Sequence, residues 1–205
     1  MTARPVTLAE VLLNREQRVQ RQRKALAAFS RPLLSITVVN PGPVKDSAVA
    51  RYLLAEALNA LDSFLTRPAK TDAPCPIHSA PLAEWVGDHE FPNTSPTAGG
   101  RWPELHRQVR NDPTGPEALL VIDAEAHALK QATTRLEDEH PLGRLWDIDV
   151  IDPLRGAISR KDLGQPARRC LLCAEDAHAC ARSRAHSLDE LRRAMQRMVD
   201  AYRES

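Results

Sequence analysis

The chain has 205 residues, with 28 Lys and Arg against 27 Asp and Glu and a hydrophobic fraction of 42%. This length predicts a single domain over residues 1–205 with enough apolar sequence to build a core. The formal net charge of +1 gives no global reason to expect binding to nucleic acid or to an anionic membrane. No apolar run approaches a membrane span, and Glu10 interrupts the apolar stretch that a signal peptide would need. We therefore expect a cytoplasmic protein.

The first predicted elements are a helix, a strand and a second helix. Thr7 and Glu10 have the spacing of a capping box, which predicts a helix over 8–28. A run rich in β-branched residues between two prolines predicts a strand over 33–39. Apolar residues three or four positions apart then predict a helix over 47–65.

Residues 66–116 have a different composition. They hold nine of the sixteen prolines, with two adjacent glycines in the middle, and no hydrophobic period runs through them. We interpret this stretch as a long surface insertion that Trp85, Phe91 and Trp102 order in part. Loops of this length are uncommon in compact domains, so its internal structure stays open.

The second half returns to regular patterns. These predict strands over 117–123, 145–151 and 156–160, a helix over 124–137, and a last helix that begins with a capping box at Ser187. Together with the first half, they indicate an α+β fold with a small mixed or antiparallel sheet packed against helices. A Cys-rich segment over 168–186 precedes the last helix.

The strongest chemical pattern is the pair Asp147 and Asp149 on the predicted strand 145–151. Residues two apart on a strand point to the same face, so the two carboxylates project together while Trp146 and Ile148 face the other way. Neighbouring carboxylates repel each other, and a cation relieves that repulsion. Paired oxygen ligands of this kind suit Mg²⁺ and phosphoryl transfer. An exposed edge strand with two solvated acids is the alternative.

Several further groups lie close to this pair in the sequence. Glu137, Asp138, Glu139 and Asp152 are candidates for a third metal ligand. His140 is a candidate general base, because imidazole titrates near neutral pH. The alternative for the acidic run is simply a solvated helix end.

A second pattern is the loop PGPVKDS, which starts at Pro41 and joins a predicted strand to a helix N-terminus. Helix N-termini present N–H groups and partial positive charge to anions. Gly42, Lys45 and Ser47 are its candidate substrate-binding residues. The loop does not have the spacing of a Walker A motif. The alternative is a stiff turn in which Asp46 or Ser47 caps the following helix.

The third pattern is a cluster of cysteines. Cys170 and Cys173 are spaced as in a zinc knuckle, and Cys180 with either His178 or His186 would complete a Cys₃His set. We take Cys170, Cys173, Cys180 and His186 as the candidate structural zinc ligands. A redox pair and inert buried thiols are the alternatives.

Several segments together resemble the apo-citrate lyase phosphoribosyl-dephospho-CoA transferase family, also called citrate lyase holo-acyl-carrier-protein synthases. The resemblance covers about 31–65 and 114–191. The segments that carry it are PGPVKDS, GPEALLVIDA, Leu129-Lys130, HPLGRLWDIDVID, Ser159-Arg160, RRCLLC and CARSRAHS. HPLGRLWDIDV and RRCLLC in that order are the most specific of these.

The resemblance implies a transferase with a nucleotidyltransferase-like site. Its donor is triphosphoribosyl-dephospho-CoA, its acceptor is a serine of the citrate lyase acyl carrier (gamma) subunit, and pyrophosphate leaves. Asp147 and Asp149 would then hold Mg²⁺ against the triphosphate. The basic residues that would stabilise the developing charge are Arg144, Lys45, Arg160 and Lys130.

Two other functions fit the same residues. A nucleotidyltransferase that adenylylates a protein would use the same carboxylates with ATP as donor. A non-enzymatic zinc-binding interaction module would have no turnover. For the transferase, the basic middle of the first predicted helix, including Arg18 and Arg21, is a candidate docking face for the carrier.

Overall fold

The computed structural model describes residues 4–66 and 102–205. Trp85 and Phe91 lie outside the described residues. No helix in the described part combines the length and apolar character needed to cross a bilayer. The described elements are α1 (Leu8–Phe29), β1 (Leu33–Val38), α2 (Ala48–Thr66), β2 (Glu104–Asp112), β3 (Gly115–Ile122), α3 (Ala126–Glu139), β4 (Trp146–Asp152), β5 (Gly156–Ile158), α4 (Ala177–Ser183) and α5 (Leu188–Arg203).

The five strands form one sheet in the order β2-β3-β1-β4-β5. Every neighbouring pair is antiparallel. The expected α+β fold is confirmed, and its sheet is antiparallel rather than mixed. Both predicted capping boxes are present, at Thr7 before α1 and at Ser187 before α5.

Strand β2 corrects the interpretation of 66–116 as an insertion. Residues 104–112 pair with β3 along their whole length, and Asp112 lies opposite Gly115 across a tight turn. Trp102, just before β2, packs against Phe64 at a ring-centroid distance of 6.2 Å. The strand was missed because it lies at the sheet edge with mostly exposed, polar side chains, which suit an edge strand but give no apolar period.

The main core lies between one face of the sheet and helices α2, α3 and α5. Leu53 and Leu61 of α2, Leu129 of α3 and Val199 of α5 are fully buried there. Strand β1 is buried on both faces over its first four residues. Its run of apolar residues therefore shows no alternation, as expected for a central strand covered from both sides.

Helix α1 lies across the opposite face of the sheet. Its Ala25 and Leu26 pack on Leu33 of β1 and on Leu119 and Val121 of β3. The helix does not cover the same face of β4. Positions of β4 therefore alternate between buried, on the core side, and exposed, on this open face. The fold thus creates an uncovered strip of sheet beside a basic helix.

The chain enters β4 through a close backbone contact. A Cβ atom on Gly143 would lie 2.4 Å from the carbonyl oxygen of Glu137, a distance that no side chain tolerates. Gly143 is therefore required by the packing of this turn against the end of α3.

Candidate active site and metal cluster

Asp147 and Asp149 lie on the open face of β4, next to polar residues of β1. In the sheet register, Asp147 lies opposite Thr37, and Asp149 lies opposite Ser35. Trp146, Ile148 and Val150 point into the core. The two carboxylates therefore share one face of the sheet, as the alternation of the sequence predicts.

The pKa of Asp149 is raised from its ordinary value. The largest cause is the surrounding protein, which displaces water from the carboxylate, and the second is repulsion by Asp147. Lys130 and Arg18 act in the opposite direction. Solvent still reaches the side chain, so a cation can approach it. Two neighbouring carboxylates of this kind can bind a cation.

Glu117 of β3 continues the same row, because it lies opposite Thr37 on the other side of β1. It is buried and receives hydrogen bonds from Asn14 at 3.3 Å and Arg18 at 2.7 Å, and a further one from Arg21. This buried ion-pair group joins α1 to the sheet.

The proposed docking role of Arg18 and Arg21 needs correction. Their side chains are only 24% and 16% exposed, because both guanidinium groups turn inward to Glu117. The sequence indicated a basic, solvated helix face, but a buried carboxylate on the sheet attracts these two residues. They do not form a free surface for a carrier protein.

An open cleft of about 250 Å³ lies between α1, the end of β1 and the β2–β3 turn. Arg15, Arg18 and Lys45 supply its positive charge, and Thr37 connects it to the row that contains Asp147. Its remaining lining residues are Val11, Asn14, Val38, Asn40, Thr114, Gly115 and Pro116. The cleft is thus a basic recess beside the carboxylate pair.

Lys45 is the residue of the PGPVKDS loop that faces this cleft. Its Nζ donates to the carbonyl oxygen of Asn40 at 2.8 Å. The pKa of Lys45 is lowered from its ordinary value by burial and then by the nearby Arg192. A partly desolvated cation next to a second one favours an anionic ligand.

The other residues of this loop have structural contacts. Ser47 Oγ accepts from the Ala50 N–H at 3.1 Å, so it caps α2. Asp46 is buried and forms an ion pair with Arg51. Gly42 has a φ of +93° and lies under the guanidinium group of Arg192. Loop geometry thus accounts for Gly42 and Ser47 without a ligand.

The outer edge of β4 is completed by side chains of α3. The N–H of Ile148 donates to Glu137 at 2.9 Å, and Lys130 Nζ donates to the Ile148 carbonyl oxygen at 3.0 Å. Strand β5 pairs only with 150–152, so no strand among the described residues pairs with Ile148 on this side. Lys130 is buried, and its ammonium group binds the backbone of β4 and does not line the cleft.

Glu137 is the centre of this edge network. It forms ion pairs with Arg160 and with Arg168, each at an N–O distance of 2.9 Å, while Arg160 also pairs with Asp138. Arg160 therefore lies at the α3 side of β4 and is engaged by two carboxylates. The sequence offered Glu137 as a candidate third metal ligand, but in the structure its carboxylate pairs with Arg160 and Arg168.

Arg168 connects the network to the open face. It donates to the carbonyl oxygen of Trp146 at 2.5 Å, and its other terminal nitrogen lies 3.7 Å from Asp147 Oδ1. Arg144 instead donates to the carbonyl oxygens of Arg169 and Cys170. Arg144 thus holds the Cys-rich segment, whereas Arg168 is the arginine near the carboxylate pair.

His140 lies away from the aspartates. Its ring packs between Trp146 and Tyr202, at centroid distances of 4.4 and 5.2 Å, on the core side of β4. Nδ1 accepts from the Leu142 N–H at 3.1 Å. Burial lowers the pKa of His140, with a smaller opposing effect of Glu56. The structure does not bring His140 to Asp147 and Asp149, so it does not support the general-base assignment.

The Cys-rich segment brings its four candidate ligands together. One ligand atom from each of Cys170, Cys173, Cys180 and His186 lies within 4.8 Å of all the others. His178, the alternative fourth residue, is exposed and is not in this group. This cluster can hold a metal ion.

The thiols of the cluster differ in acidity. Burial disfavours the Cys170 thiolate, but N–H groups of Leu172 and Cys173 donate to its sulfur, and its pKa is lowered to about 7. The hydrogen bond with Cys173 is the main cause that raises the pKa of Cys180 to about 12.

Comparison with known proteins identifies the family. The model of the apo-citrate lyase phosphoribosyl-dephospho-CoA transferase family matches residues 6–74 and 69–202. The chain belongs to this family. A protein of that name from Escherichia coli O1:K1 is 35% identical over 195 residues, which cover 95% of this chain and 89% of the relative. One from Citrobacter koseri is 36% identical over 190 residues, covering 93% and 86%.

Four of the segments by which the chain resembles the phosphoribosyl-dephospho-CoA transferase family meet around β4. HPLGRLWDIDVID forms the turn and the strand, while Lys130 and Arg160 complete the β4 edge network. RRCLLC supplies Arg168 and the first two cysteines of the cluster. Most of these residues hold the strand in place rather than facing the cleft.

Two residues of the site were missed by reasoning from sequence. Arg15 lines the cleft, and Glu117 anchors α1. Glu117 offered a signal, because it is an acid at the start of an otherwise apolar strand. Arg15 lies on a helix whose orientation depends on tertiary packing.

Proposed function

We propose that this protein transfers the phosphoribosyl-dephospho-CoA group from triphosphoribosyl-dephospho-CoA to a serine of the apo citrate lyase acyl carrier subunit. The observation that carries the proposal is its membership of the transferase family over nearly its whole length. The acid pair beside a basic cleft supports it, since transfer of a phosphoryl-linked group depends mainly on positioning and charge stabilisation.

The reaction joins the seryl oxygen to the phosphorus next to the ribose of the donor. The bond from that phosphorus to the terminal pyrophosphate breaks, and pyrophosphate and the seryl proton are released. Negative charge grows on the leaving pyrophosphate. Catalysis therefore needs cationic groups at the triphosphate and an open approach for the carrier serine.

The cleft suits the triphosphate end of the donor. Arg15, Arg18 and Lys45 line it, and hydrogen bonds from charged donors to phosphate are short and strong. Its volume of about 250 Å³ provides room for phosphate groups. The dephospho-CoA arm would then extend into solvent or along the carrier.

Asp147 and Asp149 are the proposed Mg²⁺ ligands. Their side chains share the open face of β4, and Cα atoms two residues apart on a strand lie about 6.6 Å from each other, within reach of a common cation. The raised pKa of Asp149 fits a site whose charge is incompletely balanced. Mg²⁺ usually takes one or two carboxylates together with substrate phosphates, and it would neutralise charge on the triphosphate.

The intact mass of an apo carrier subunit tests this function. The carrier is incubated with the protein, Mg²⁺ and triphosphoribosyl-dephospho-CoA, and in parallel with ATP. We expect a mass gain equal to the phosphoribosyl-dephospho-CoA group in the first tube only. A gain of one AMP with ATP alone would instead favour protein adenylylation, and no gain in either tube would contradict the proposal.

Loss of positive charge from the cleft should weaken donor binding. Lys45→Ala and Arg15→Ala should each raise the KM for the donor about 10-fold or more, since a hydrogen bond to a charged group contributes about 1.5–3 kcal/mol. Steady-state kinetics with varied donor concentration measure this. Lys24→Ala removes an exposed cation of α1 that does not line the cleft and should leave KM unchanged. Equal effects of all three changes would rule out a specific phosphate site.

The raised pKa of Asp149 predicts an acid limit for the transfer. As the pH falls, this carboxylate becomes protonated at a higher pH than an ordinary Asp, whose pKa is about 3.9. When Mg²⁺ is limiting, transfer activity should therefore begin to fall at a pH above the ordinary pKa of Asp. Saturating Mg²⁺ competes with the proton and should move the decrease to lower pH. An acid limb that does not respond to Mg²⁺ would contradict the assignment.

A further inference from the structure

The Cys-rich segment has the dimensions of a tetrahedral metal site. Cys173 Sγ lies 3.5 Å from Cys180 Sγ and 3.3 Å from His186 Nε2. Ligands at about 2.3 Å for sulfur and 2.0–2.1 Å for nitrogen around zinc are separated by about 3.5–3.8 Å. These two separations are close to those of a tetrahedral zinc site, and all four ligand atoms lie within 4.8 Å of one another.

Two backbone hydrogen bonds close a turn around the first two cysteines of this segment. The N–H of Cys170 donates to the Glu175 carbonyl oxygen at 2.7 Å, and the N–H of Ala177 donates to that of Arg168 at 2.9 Å. The turn between these bonds carries Cys173, and the N–H of Leu172 points at Cys170 Sγ at 3.5 Å. Such donors stabilise thiolates.

Two short elements supply the other two ligands. Helix α4 carries Cys180 on its buried side. Arg184, with a φ of +52°, ends the helix in a left-handed turn. This turn brings His186 back to the cluster immediately before the cap of α5. A left-handed conformation in a non-glycine residue is costly, which indicates that the surroundings determine the turn.

The segment has almost no hydrophobic core of its own. Between Ile158 and Ala194, the only buried residues are Cys170 and Cys180. A stretch of this length that buries so little apolar surface needs another source of order, and small units often use a metal. The two buried positions are both members of the cluster, so the metal site and the core of this segment coincide.

A disulfide explains the arrangement less well. The Cys173–Cys180 sulfur separation of 3.5 Å exceeds the bonded distance of about 2.05 Å. A disulfide would also leave a third thiol and an imidazole at the same point without a role. Three thiols and one imidazole are a known closed donor set for structural zinc.

We infer that Cys170, Cys173, Cys180 and His186 bind one structural Zn²⁺ that orders the 168–187 segment. Arg144 and Arg168 attach this segment to the start of β4: Arg144 donates to the carbonyl oxygens of Arg169 and Cys170, and Arg168 donates to the carbonyl oxygen of Trp146 at 2.5 Å. Zinc thereby orders the segment from which Arg168 reaches the strand that carries Asp147. The ligand set is closed, so this ion has a structural role, separate from the Mg²⁺ proposed at the acid pair.

Metal analysis of the purified full-length protein tests the site. We expect about one zinc per chain, lost on treatment with a strong chelator together with a fall in the unfolding temperature. Thiol titration should find three additional reactive thiols after zinc removal. A protein from zinc-supplemented cells that contains no zinc, or that has a Cys173–Cys180 disulfide under reducing conditions, would overturn the inference.

Variants of the two histidines distinguish ligation from general destabilisation. His186→Ala should lower zinc content at least 10-fold, whereas His178→Ala should retain the full amount. His186→Cys should restore a Cys₄ set and keep zinc even if His186→Ala folds poorly. With Co²⁺ in place of zinc, the wild type should show the intense visible absorption of a tetrahedral thiolate site. Equal zinc content in the two alanine variants would overturn the ligand assignment.

These measurements do not require transfer activity. A protein that binds zinc but does not modify the carrier would contradict the proposed function alone. A protein that modifies the carrier without zinc would contradict only the metal site.

Discussion

Asp147→Asn and Asp149→Asn should each lower the transfer rate by about 10²–10³-fold, the size of loss seen when one transition-state charge contact is removed. Each change keeps the shape of the side chain but removes a negative charge from the open face of β4. The cation that offsets the triphosphate charge would then be held by a single carboxylate. Single-turnover transfer to the carrier, followed by intact mass, measures the loss directly.

The stability of the variants separates a chemical role from a structural one. Since the pKa of Asp149 is raised in the folded protein, its ionised form costs free energy at pH values above that pKa. Protonation of Asp149 at lower pH removes this cost. Since asparagine carries no charge, Asp149→Asn should unfold at the same or a higher temperature than the wild type at pH 7. A variant that is inactive and less stable would point to a structural role instead.

Mg²⁺ supplies a second measurement that is independent of turnover. The wild type should unfold at a higher temperature in millimolar Mg²⁺, because an ion that binds only the folded state stabilises it. Asp147→Asn and Asp149→Asn should lose this shift. Asp123→Asn is the control, since Asp123 is an exposed surface acid paired with Arg31. Near-normal transfer by both β4 variants would remove the metal-pair proposal.

The features that could be predicted from sequence are those that depend on neighbours along the chain. Alternation along β4 placed Asp147 and Asp149 on one face, and Thr7 and Ser187 marked helix starts within a residue. A period of two and a hydroxyl before a helix act through local geometry. The CxxC spacing of Cys170 and Cys173 is of the same kind.

The features that could not be predicted depend on contacts between distant segments. Arg18 and Arg21 belong to a strongly basic stretch, and only the position of α1 over Glu117 turns them inward. Lys130 and Arg160 were expected to meet phosphate but instead complete the edge of β4. A charge pattern indicates which residues can form ion pairs, but the tertiary fold determines which groups they pair with.

Glu137→Ala should reduce the free energy of unfolding by about 3 kcal/mol, the scale for breaking a buried ion pair by removing one partner. The Glu137 side chain is 4% exposed and forms ion pairs with Arg160 and Arg168. It also accepts from the N–H of Ile148. Its loss leaves two poorly hydrated guanidinium groups and a strand N–H without their carboxylate. Urea unfolding of the variant and the wild type measures the difference.

Glu139→Ala is the matched control, because Glu139 lies on the same helix with its side chain 66% exposed in a surface pair with Arg135. Such pairs contribute less than about 1 kcal/mol. Glu137→Gln should fall between the two, since its amide oxygen can still accept from Ile148. Ile148 lies between Asp147 and Asp149, so a weaker hold on Ile148 should also displace the two carboxylates. Glu137→Gln should therefore lower the transfer rate even at temperatures at which the variant is folded. Equal stability of Glu137→Ala and Glu139→Ala would show that α3 does not hold the strand through this carboxylate.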